Sequence, residues 1–526
     1  MYDILLRGGL IYDGSGSLPF RADIGIKDGH IYEIGEIGKN EATRERLDIE
    51  GLIVSPGFID VNNNSDTHGR LFLDPNLESL IRQGITTIVG GNCGSSLAPL
   101  LKDRAFDSIR KWVDVRKMNI NWQSVDDFLS LLSSRGMSVN YATLVGHGTL
   151  RRAIIGDEHR PSTQIEIDQI TYAMKNALKE GALGASFGLA YTHAKAADDK
   201  ELGALFMEIA RAKRITSIHL RNESVLVLEA LSEVLEYAKQ TKASLHISHA
   251  KIMGQKNWKL FEKYLSLLEE AVKDNVRVSF DVFPYNYTGT VLYTLLPDWV
   301  SEGGRYAMLQ RLKERFTRRQ IKVEMQKTGI EYKNIYLLGA TFLDRSLTKK
   351  SLAQIACARN GDPEDAIMDI LLSSEGRAIV RMDVLSEEHI EKAIQHPLSI
   401  IASDGAGYSI DHRQTGETIH PRCFGCFPRF LSHYVQERKL LSWQEAIYKI
   451  TGFPARRFGI EKRGILQEGN YADIVVFDPE NLKERATIQN PYQYAQGIEH
   501  LIINGELVLK DAVYREKKAG MIIRKE

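Results

Sequence analysis

The sequence has few cysteines, no excess charge and no long apolar run, and each absence excludes a class of protein. Four cysteines in 526 residues are too few for a disulfide scaffold. Lysine plus arginine and aspartate plus glutamate both number 68, and no basic block favours binding to nucleic acid or to anionic membranes. No apolar stretch reaches about 18 residues, and the amino terminus lacks the features of a signal peptide. We therefore expect a soluble, cytoplasmic protein with no nucleic-acid partner and no membrane partner.

Short alternating apolar runs occur at both ends of the chain. They fill residues 1–54, are broken by glycine and aspartate, and return in residues 456–526. This sequence pattern is typical of short antiparallel strands and tight turns. We predict that the two terminal segments together form one small β-sandwich domain.

Between the termini, short apolar runs alternate with helical stretches. Eight such runs predict an α/β protein with a (β/α)8 TIM-type barrel over residues 55–455. More than 100 residues separate the seventh run from the eighth, so we predict an inserted helical subdomain over the barrel mouth at about residues 290–395. The eight runs are residues 53–62, 86–93, 141–148, 184–189, 216–221, 245–251, 276–285 and 399–405.

Polar residues at the ends of these runs form a candidate active site. Catalytic groups of a barrel lie at the carboxyl ends of its strands, and this chain has Cys93, His219, His249 and Asp404 there. A thiolate and two imidazoles can hold one zinc ion and leave a position open for water, whose proton Asp404 could accept. Taken singly, a buried cysteine or histidine is more often a packing residue. Their joint placement at strand ends favours a metal site.

Four further residues have weaker signals. His147 follows the third run and either lines the substrate pocket or braces a loop; we include it among the candidate substrate-binding residues. His68 either replaces a metal ligand or has a turn or surface role. Cys423 and Cys426 have no second cysteine pair with which to complete a zinc ribbon, which favours packing over a metal or redox function.

Short motifs follow one another in a fixed order along nearly the whole chain. They lie at residues 11–14, 55–60, 83–87, 91–94, 146–151, 420–422 and 451–459. The series resembles the N-acyl-D-amino-acid deacylase (D-aminoacylase) branch of the amidohydrolase superfamily. This resemblance implies that Cys93, His219 and His249 are the ligands of a tightly held zinc ion and that Asp404 is the general base.

The resemblance also implies a site for a substrate carboxylate. Family members hold that group with a lysine and an arginine, which match Lys251 and Arg422, together with a tyrosine and a serine. The tyrosine position reads Phe283 and the serine position reads Gly289, so two hydroxyls are missing. Tyr285, two residues beyond Phe283, is a further candidate substrate-binding residue.

Asparagines stand where the family has a His-x-His pair for a second, weakly held metal ion. Asn62 and Asn64 take the two histidine positions. Because an amide oxygen is a poor zinc ligand beside imidazole, we expect one zinc ion. A carboxamide can both donate and accept hydrogen bonds, so we predict that Asn62 and Asn64 point into the pocket and bind substrate.

Three functions are compatible with these observations. The leading hypothesis is a zinc-dependent amidohydrolase that cleaves the amide of an N-acyl amino acid, of the D type by resemblance, or of a related acyl-amide. The departures at metal and substrate positions support an alternative, a metal-dependent cyclase, acyl transferase or lyase acting on a specialised metabolite. A binding protein without catalysis is disfavoured because the candidate ligands and Asp404 are all retained.

Overall fold

The computed structural model describes residues 1–102, 105, 109–110, 112–113, 115–340 and 345–526. The strands described there form three sheets. They are β1 (Tyr2–Ile11), β2 (Phe20–Lys27), β3 (His30–Gly35), β4 (Thr43–Asp48), β5 (Ile53–Pro56), β6 (Phe58–Asp60), β7 (Ile85–Gly90), β8 (Asn140–Gly146), β9 (Gly184–Gly188), β10 (Ile215–His219), β11 (Ser244–Ile247), β12 (Val278–Val282), β13 (Thr288–Val291), β14 (Ile335–Ala340), β15 (Ala378–Met382), β16 (Ser399–Ile401), β17 (Ile474–Phe477), β18 (Ile498–Ile503), β19 (Glu506–Lys510) and β20 (Val513–Tyr514).

Helices follow most of the barrel strands, and several begin at a side-chain cap. For example, the hydroxyl of Thr163 caps the helix that begins at Gln164, and Glu166 completes the capping box. None of the described helices is long and apolar enough to cross a membrane. The α-helices are α1 (Arg70–Leu73), α2 (Glu78–Ile81), α3 (Val125–Arg135), α4 (His147–Ile155), α5 (Gln164–Lys179), α6 (Thr192–Lys195), α7 (Asp199–Arg211), α8 (Val227–Thr241), α9 (Phe261–Lys273), α10 (Gly304–Lys313), α11 (Arg315–Lys327), α12 (Leu352–Ala358), α13 (Pro363–Ser373), α14 (Glu387–Gln395), α15 (Arg422–Arg429), α16 (Trp443–Ile450) and α17 (Gly452–Phe458).

Eight parallel strands form a nearly closed barrel. They pair in the order β6, β7, β8, β9, β10, β11, β12 and β16. Most of them are buried along their whole length, which explains why they appear in the sequence as continuous apolar runs. The first and last strands approach each other just beyond their ends, where the backbone N–H of Asn64 donates to the carbonyl of Gly405 at 2.7 Å. The predicted barrel is confirmed, and each of the eight runs overlaps one barrel strand; the first run also contains β5 of the sheet described next.

Strands from the two chain termini form a single mixed sheet. β5 pairs with β17 in antiparallel register, with Val54 opposite Val476, and so joins β1–β4 to β18–β20. Apolar side chains from both termini share one core, including Ile24, Ile474 and Ile502. The predicted β domain built from both ends of the chain is confirmed.

The segment between β12 and α14 contains helices α10–α13 and a three-stranded antiparallel sheet. The sheet order is β13, β15, β14. Leu292, Leu337, Ile367 and Val380 belong to a separate apolar core of this segment. The segment predicted as helical therefore also contains a sheet, and that sheet forms one wall of the cavity described next.

Candidate metal centre and active site

A cavity of about 1170 Å³ lies at the carboxyl ends of the barrel strands. Residues that follow β6, β7, β10, β11 and β16 form its floor, and residues of β13, β14 and β15 form part of its wall. Of the ten residues predicted as catalytic, metal-binding or substrate-binding, seven line it: Asn64, Cys93, His219, His249, Lys251, Asp404 and Arg422. The structure thus brings together most of the candidate site.

Cys93, His219 and His249 converge within this cavity. One ligand atom from each residue lies within 4.8 Å of the other two, and Sγ of Cys93 is 3.4 Å from Nε2 of His249. Nδ1 of His219 is buried and has no hydrogen-bond partner among the residues that the structure describes. Burial lowers the pKa of His219 to about 3, so the imidazole is neutral, the form that binds metal ions. This donor set fits one zinc ion.

Three of the site residues have left-handed backbone conformations. The φ angles of Cys93, His249 and Asp404 are 51°, 39° and 46°, values that residues other than glycine rarely adopt. Each residue lies two or three positions beyond the end of its barrel strand. Such conformations cluster at functional sites, where the surrounding structure imposes them. Turns at the strand ends therefore direct these three side chains.

Close packing against β9 fixes the turn that carries Cys93. Gly94 has a φ of 74°, and a Cβ at this position would lie 2.5 Å from the backbone nitrogen of Gly188. A Cβ on Gly188 would in turn lie 2.2 Å from the carbonyl oxygen of Cys93. Glycine at both positions allows the backbone of Cys93 to reach the barrel mouth.

Glu223 lies behind the two imidazoles. Its Oε1 is 3.0 Å from Nδ1 of His249 and accepts a hydrogen bond from Nζ of Lys251 at 2.6 Å, and its Oε2 is 3.6 Å from Nε2 of His219. Burial favours the neutral acid, but Lys251 and the imidazoles hold the pKa of Glu223 well below its usual range. Glu223 is not among the site residues predicted from the sequence. Its position four residues after His219, just beyond the same strand, is the signal that could have found it.

Two groups hold the carboxylate of Asp404. Its Oδ1 accepts a hydrogen bond from Nδ2 of Asn64 at 3.1 Å, and its Oδ2 lies 2.7 Å from Nη1 of Arg422. The guanidinium of Arg422 also lies over the ring of Phe283, 4.9 Å from its centroid. Nε of Arg422 is buried and lacks a hydrogen-bond partner within the described part of the chain. Nη1 is likewise buried and makes no hydrogen bond there, so its contact with Asp404 is an ion pair.

Asn62 does not line the cavity, in contrast to its sequence neighbour Asn64. Its Nδ2 donates to Asp281 at 3.3 Å, and the same carboxylate accepts from the backbone N–H of His249 and contacts Nε2 of His246, both at 2.9 Å. The prediction that Asn62 points into the pocket fails because β6 ends at Asp60, so the alternation of side chains along a strand does not extend to Asn62. Asp281, a lone acid in an apolar strand, was also missed from the sequence.

His147 and Tyr285 also bind protein groups away from the cavity. Nε2 of His147, at the start of α4, lies 2.6 Å from Oε1 of Glu201 on α7, and the ring is fully buried. The hydroxyl of Tyr285 donates to Oε1 of Glu484 at 2.6 Å. The cavity lining, so far as the structure describes it, contains neither side chain. Of the two roles left open for His147, this geometry corresponds to bracing.

The segment that follows Asp404 packs against His68 at the cavity rim. Nδ1 of His68 is 3.0 Å from the hydroxyl of Tyr408, and its ring stacks on Trp112 with 4.9 Å between centroids. Burial lowers the pKa of His68 to about 3. His68 is therefore a neutral member of the cavity wall, and the metal-ligand cluster described above does not include it.

A protein-family model gives the first comparison with known proteins. The model described as "Amidohydrolase family" matches residues 45–316 and 392–509, which is more than half of the chain. The chain therefore belongs to the amidohydrolase family, and the predicted enzyme class is confirmed.

Individual relatives give a finer assignment. The chain is 30% identical to a D-aminoacylase of Alcaligenes xylosoxydans xylosoxydans, over 99% of this chain and 97% of the relative. It is 31% identical to an N-acyl-D-glutamate deacylase of the same organism, over 100% and 97% of the two chains. Within the family, the chain lies in the D-aminoacylase branch, as the sequence motifs predicted.

Solved structures show the same relationship. An N-acyl-D-glutamate deacylase from Bordetella bronchiseptica, complexed with zinc and a phosphonate inhibitor, matches with a TM-score of 0.83 and 30% identity over 100% of both chains. A D-aminoacylase matches with a TM-score of 0.84 and 28% identity over 100% of both chains. The study of that enzyme describes a binuclear metal centre with one-metal activation and second-metal attenuation.

Proposed function

We propose that this protein is a zinc-dependent amidohydrolase that cleaves the amide bond of an N-acyl amino acid of D configuration. The observation that carries the proposal is the convergence of Cys93, His219 and His249 in one cavity that Asp404 also lines. The names of the relatives, D-aminoacylase and N-acyl-D-glutamate deacylase, support the substrate class.

The proposed chemistry needs a Lewis acid and a proton carrier. Bound at this site, zinc would polarise the amide carbonyl and lower the pKa of water. Asp404 would accept the proton of the attacking water and then donate it to the leaving amine. The hydrogen bond from Asn64 fixes the orientation of the carboxylate during both transfers. Addition of water and departure of the amine together hydrolyse the amide to a carboxylic acid and a free amino acid.

Arg422 is the proposed anchor of the substrate carboxylate. Its Nε donor has no partner among the described residues, while Nη1 remains beside Asp404. Lys251 also lines the cavity, and its ammonium group has three N–H donors. Nζ donates to Oε1 of Glu223 at 2.6 Å and lies 2.8 Å from Nδ1 of His249. Two cationic side chains next to the metal ligands would orient an acyl amino acid with its amide towards the metal centre.

We propose a single zinc ion per chain. Asn64 is bound to Asp404 and Asn62 is bound to Asp281, and a carboxamide is a weak zinc ligand beside imidazole. The one-metal activation described for the related D-aminoacylase agrees with a single catalytic ion.

The direct test uses zinc-loaded enzyme and paired N-acetyl-D- and N-acetyl-L-amino acids with acidic and apolar side chains. Release of the free amino acid is measured in water enriched in oxygen-18. We expect release from D substrates, with one oxygen-18 atom in the acetate formed, and no release by Cys93→Ala. No release from any member of the panel would contradict the proposal.

A second candidate is non-hydrolytic chemistry on the same scaffold, such as that of a cyclase, acyl transferase or lyase. It is favoured by Phe283 and Gly289, which remove two hydroxyls from the implied carboxylate site. The same experiment separates the two candidates. Loss of substrate without oxygen-18 in the acyl product would favour the second.

A further inference from the structure

Glu223 contacts both imidazoles of the candidate metal centre, and this arrangement has a consequence for metal binding. We infer that Glu223 is a positioning residue that orients His219 and His249 together, with one carboxylate oxygen for each ring. The inference rests on the metal site of the proposed function and adds to it a residue that is not itself one of the metal ligands.

In each imidazole ring, one nitrogen faces Glu223 and is called the outer nitrogen, and the opposite one is called the inner nitrogen. Oε1 of Glu223 is 3.0 Å from Nδ1 of His249, and Oε2 is 3.6 Å from Nε2 of His219. The opposite nitrogens are Nε2 of His249, 3.4 Å from Sγ of Cys93, and Nδ1 of His219, which is buried and unpartnered among the described residues. The outer nitrogens thus face one carboxylate, and Nζ of Lys251, which donates to that carboxylate, also lies 2.8 Å from Nδ1 of His249. The inner nitrogens are left for a metal ion.

Ring geometry explains why one acid can serve both ligands. The imidazoles of His219 and His249 meet edge to face, with centroids 4.5 Å apart and an interplanar angle of 84°. A carboxylate that accepts from the outer nitrogen fixes the tautomer and the orientation of an imidazole ligand. Without this acceptor, each ring could rotate about χ2 and exchange its two nitrogens.

Glu223 is itself held in place from two sides. Its backbone carbonyl oxygen accepts a hydrogen bond from the backbone N–H of Met253 at 2.7 Å. On the side chain, Oε1 accepts a hydrogen bond from Nζ of Lys251 at 2.6 Å. Glu223 is only 8% exposed, so little solvent competes with these contacts. Lys251 therefore helps to position Glu223 as well as lining the cavity.

The test compares zinc affinity in Glu223→Gln and Glu223→Ala, measured by competition with a chromophoric chelator. Outer partners of this kind typically change metal affinity 10- to 100-fold, so we expect zinc binding to weaken by roughly that factor. Glutamine keeps the size but offers one acceptor, and its NH2 group would face the other ring. The visible spectrum of the cobalt-substituted enzyme should change as well, because it reports the geometry of the ligands.

Two controls isolate the contact with the imidazoles. Glu233→Gln removes an acid that pairs with Arg221 at 2.7 Å, and its zinc affinity should match the wild type. Glu223→Gln alone leaves Lys251 buried without its charge partner, and this variant could fail to fold. The double variant Glu223→Gln with Lys251→Met removes that lysine as well. Because Nζ of Lys251 is itself 2.8 Å from Nδ1 of His249, the double variant is compared with Lys251→Met alone. It should bind zinc more weakly than Lys251→Met by the factor expected for Glu223→Gln.

The outcomes separate this inference from the proposed function. Wild-type zinc affinity and an unchanged cobalt spectrum in both Glu223→Gln and the double variant would overturn the inference alone. Failure of the wild-type protein to bind zinc would overturn the proposed function and, with it, the inference.

Discussion

Arg422 and Asp404 form an ion pair in which Nη1 lies 2.7 Å from Oδ2. The two side chains are only 10% and 12% exposed, so solvent screens the contact little. The pair joins the proposed base to the proposed carboxylate anchor. In the proposed mechanism, substrate binding and proton transfer would therefore both depend on the guanidinium of Arg422.

Replacement of Asp404 by asparagine should stop turnover without removing the metal ion. General acid–base catalysis contributes roughly 100- to 10,000-fold, and an amide cannot carry the proton, so we expect kcat to fall at least about 100-fold. Zinc content and kcat are measured on the same preparation. Asp411→Asn, on the segment after Asp404, is the control. An Asp404→Asn enzyme with near-normal kcat would assign the base to another residue.

Asn64 and Asn62 form a matched pair for mutation, because only Asn64 lines the cavity. Asn64→Ala removes the donor to Oδ1 of Asp404, and loss of one charge-assisted hydrogen bond should lower kcat by about 10- to 100-fold. Asn62→Ala should instead lower the free energy of unfolding, since Asp281 loses a buried donor. Equal kcat values for the two variants would contradict this division of roles.

Gly289→Ser should be tolerated and should restore a hydroxyl to the cavity wall. Among the residues that the structure describes, a Cβ at Gly289 would meet only the carbonyl oxygen of Val380, at 3.7 Å. One added hydrogen bond should raise kcat/KM for N-acyl-D-amino acids by roughly two- to tenfold. Gly339→Ser, on the same wall and with no described residue within 4 Å of its Cβ, is the control. A lower kcat/KM for Gly289→Ser would show that no carboxylate binds there.

His68 should make the stability of the protein depend on pH. The pKa of His68 is about 3 in the folded chain and about 6.5 in an unfolded chain. Between these values the unfolded chain binds one more proton, so stability falls as pH falls, by at most about 1.4 kcal/mol per pH unit. Urea unfolding at pH 7 and pH 5 should show a smaller difference for His68→Gln than for wild type. An equal difference in the wild type and in His68→Gln would contradict the assignment of this pH dependence to His68.

The barrel strands could be predicted from the sequence, whereas several side-chain directions could not. Strands buried on both faces leave continuous apolar runs, and chemistry at a barrel mouth follows those runs. The directions of Asn62 and His147 depend on contacts with Asp281 and Glu201, which are distant in the sequence. Cys93 reaches the cavity through a left-handed turn, which strand alternation does not describe.

Zinc content of the purified protein is the most direct test of the central claim, that Cys93, His219 and His249 hold one catalytic ion. We predict one zinc per chain in the wild type. We predict none in Cys93→Ala or His219→Ala, because each variant loses one of three protein ligands. Two stoichiometric metal ions in the wild type, or one tightly held zinc in either variant, would contradict the claim.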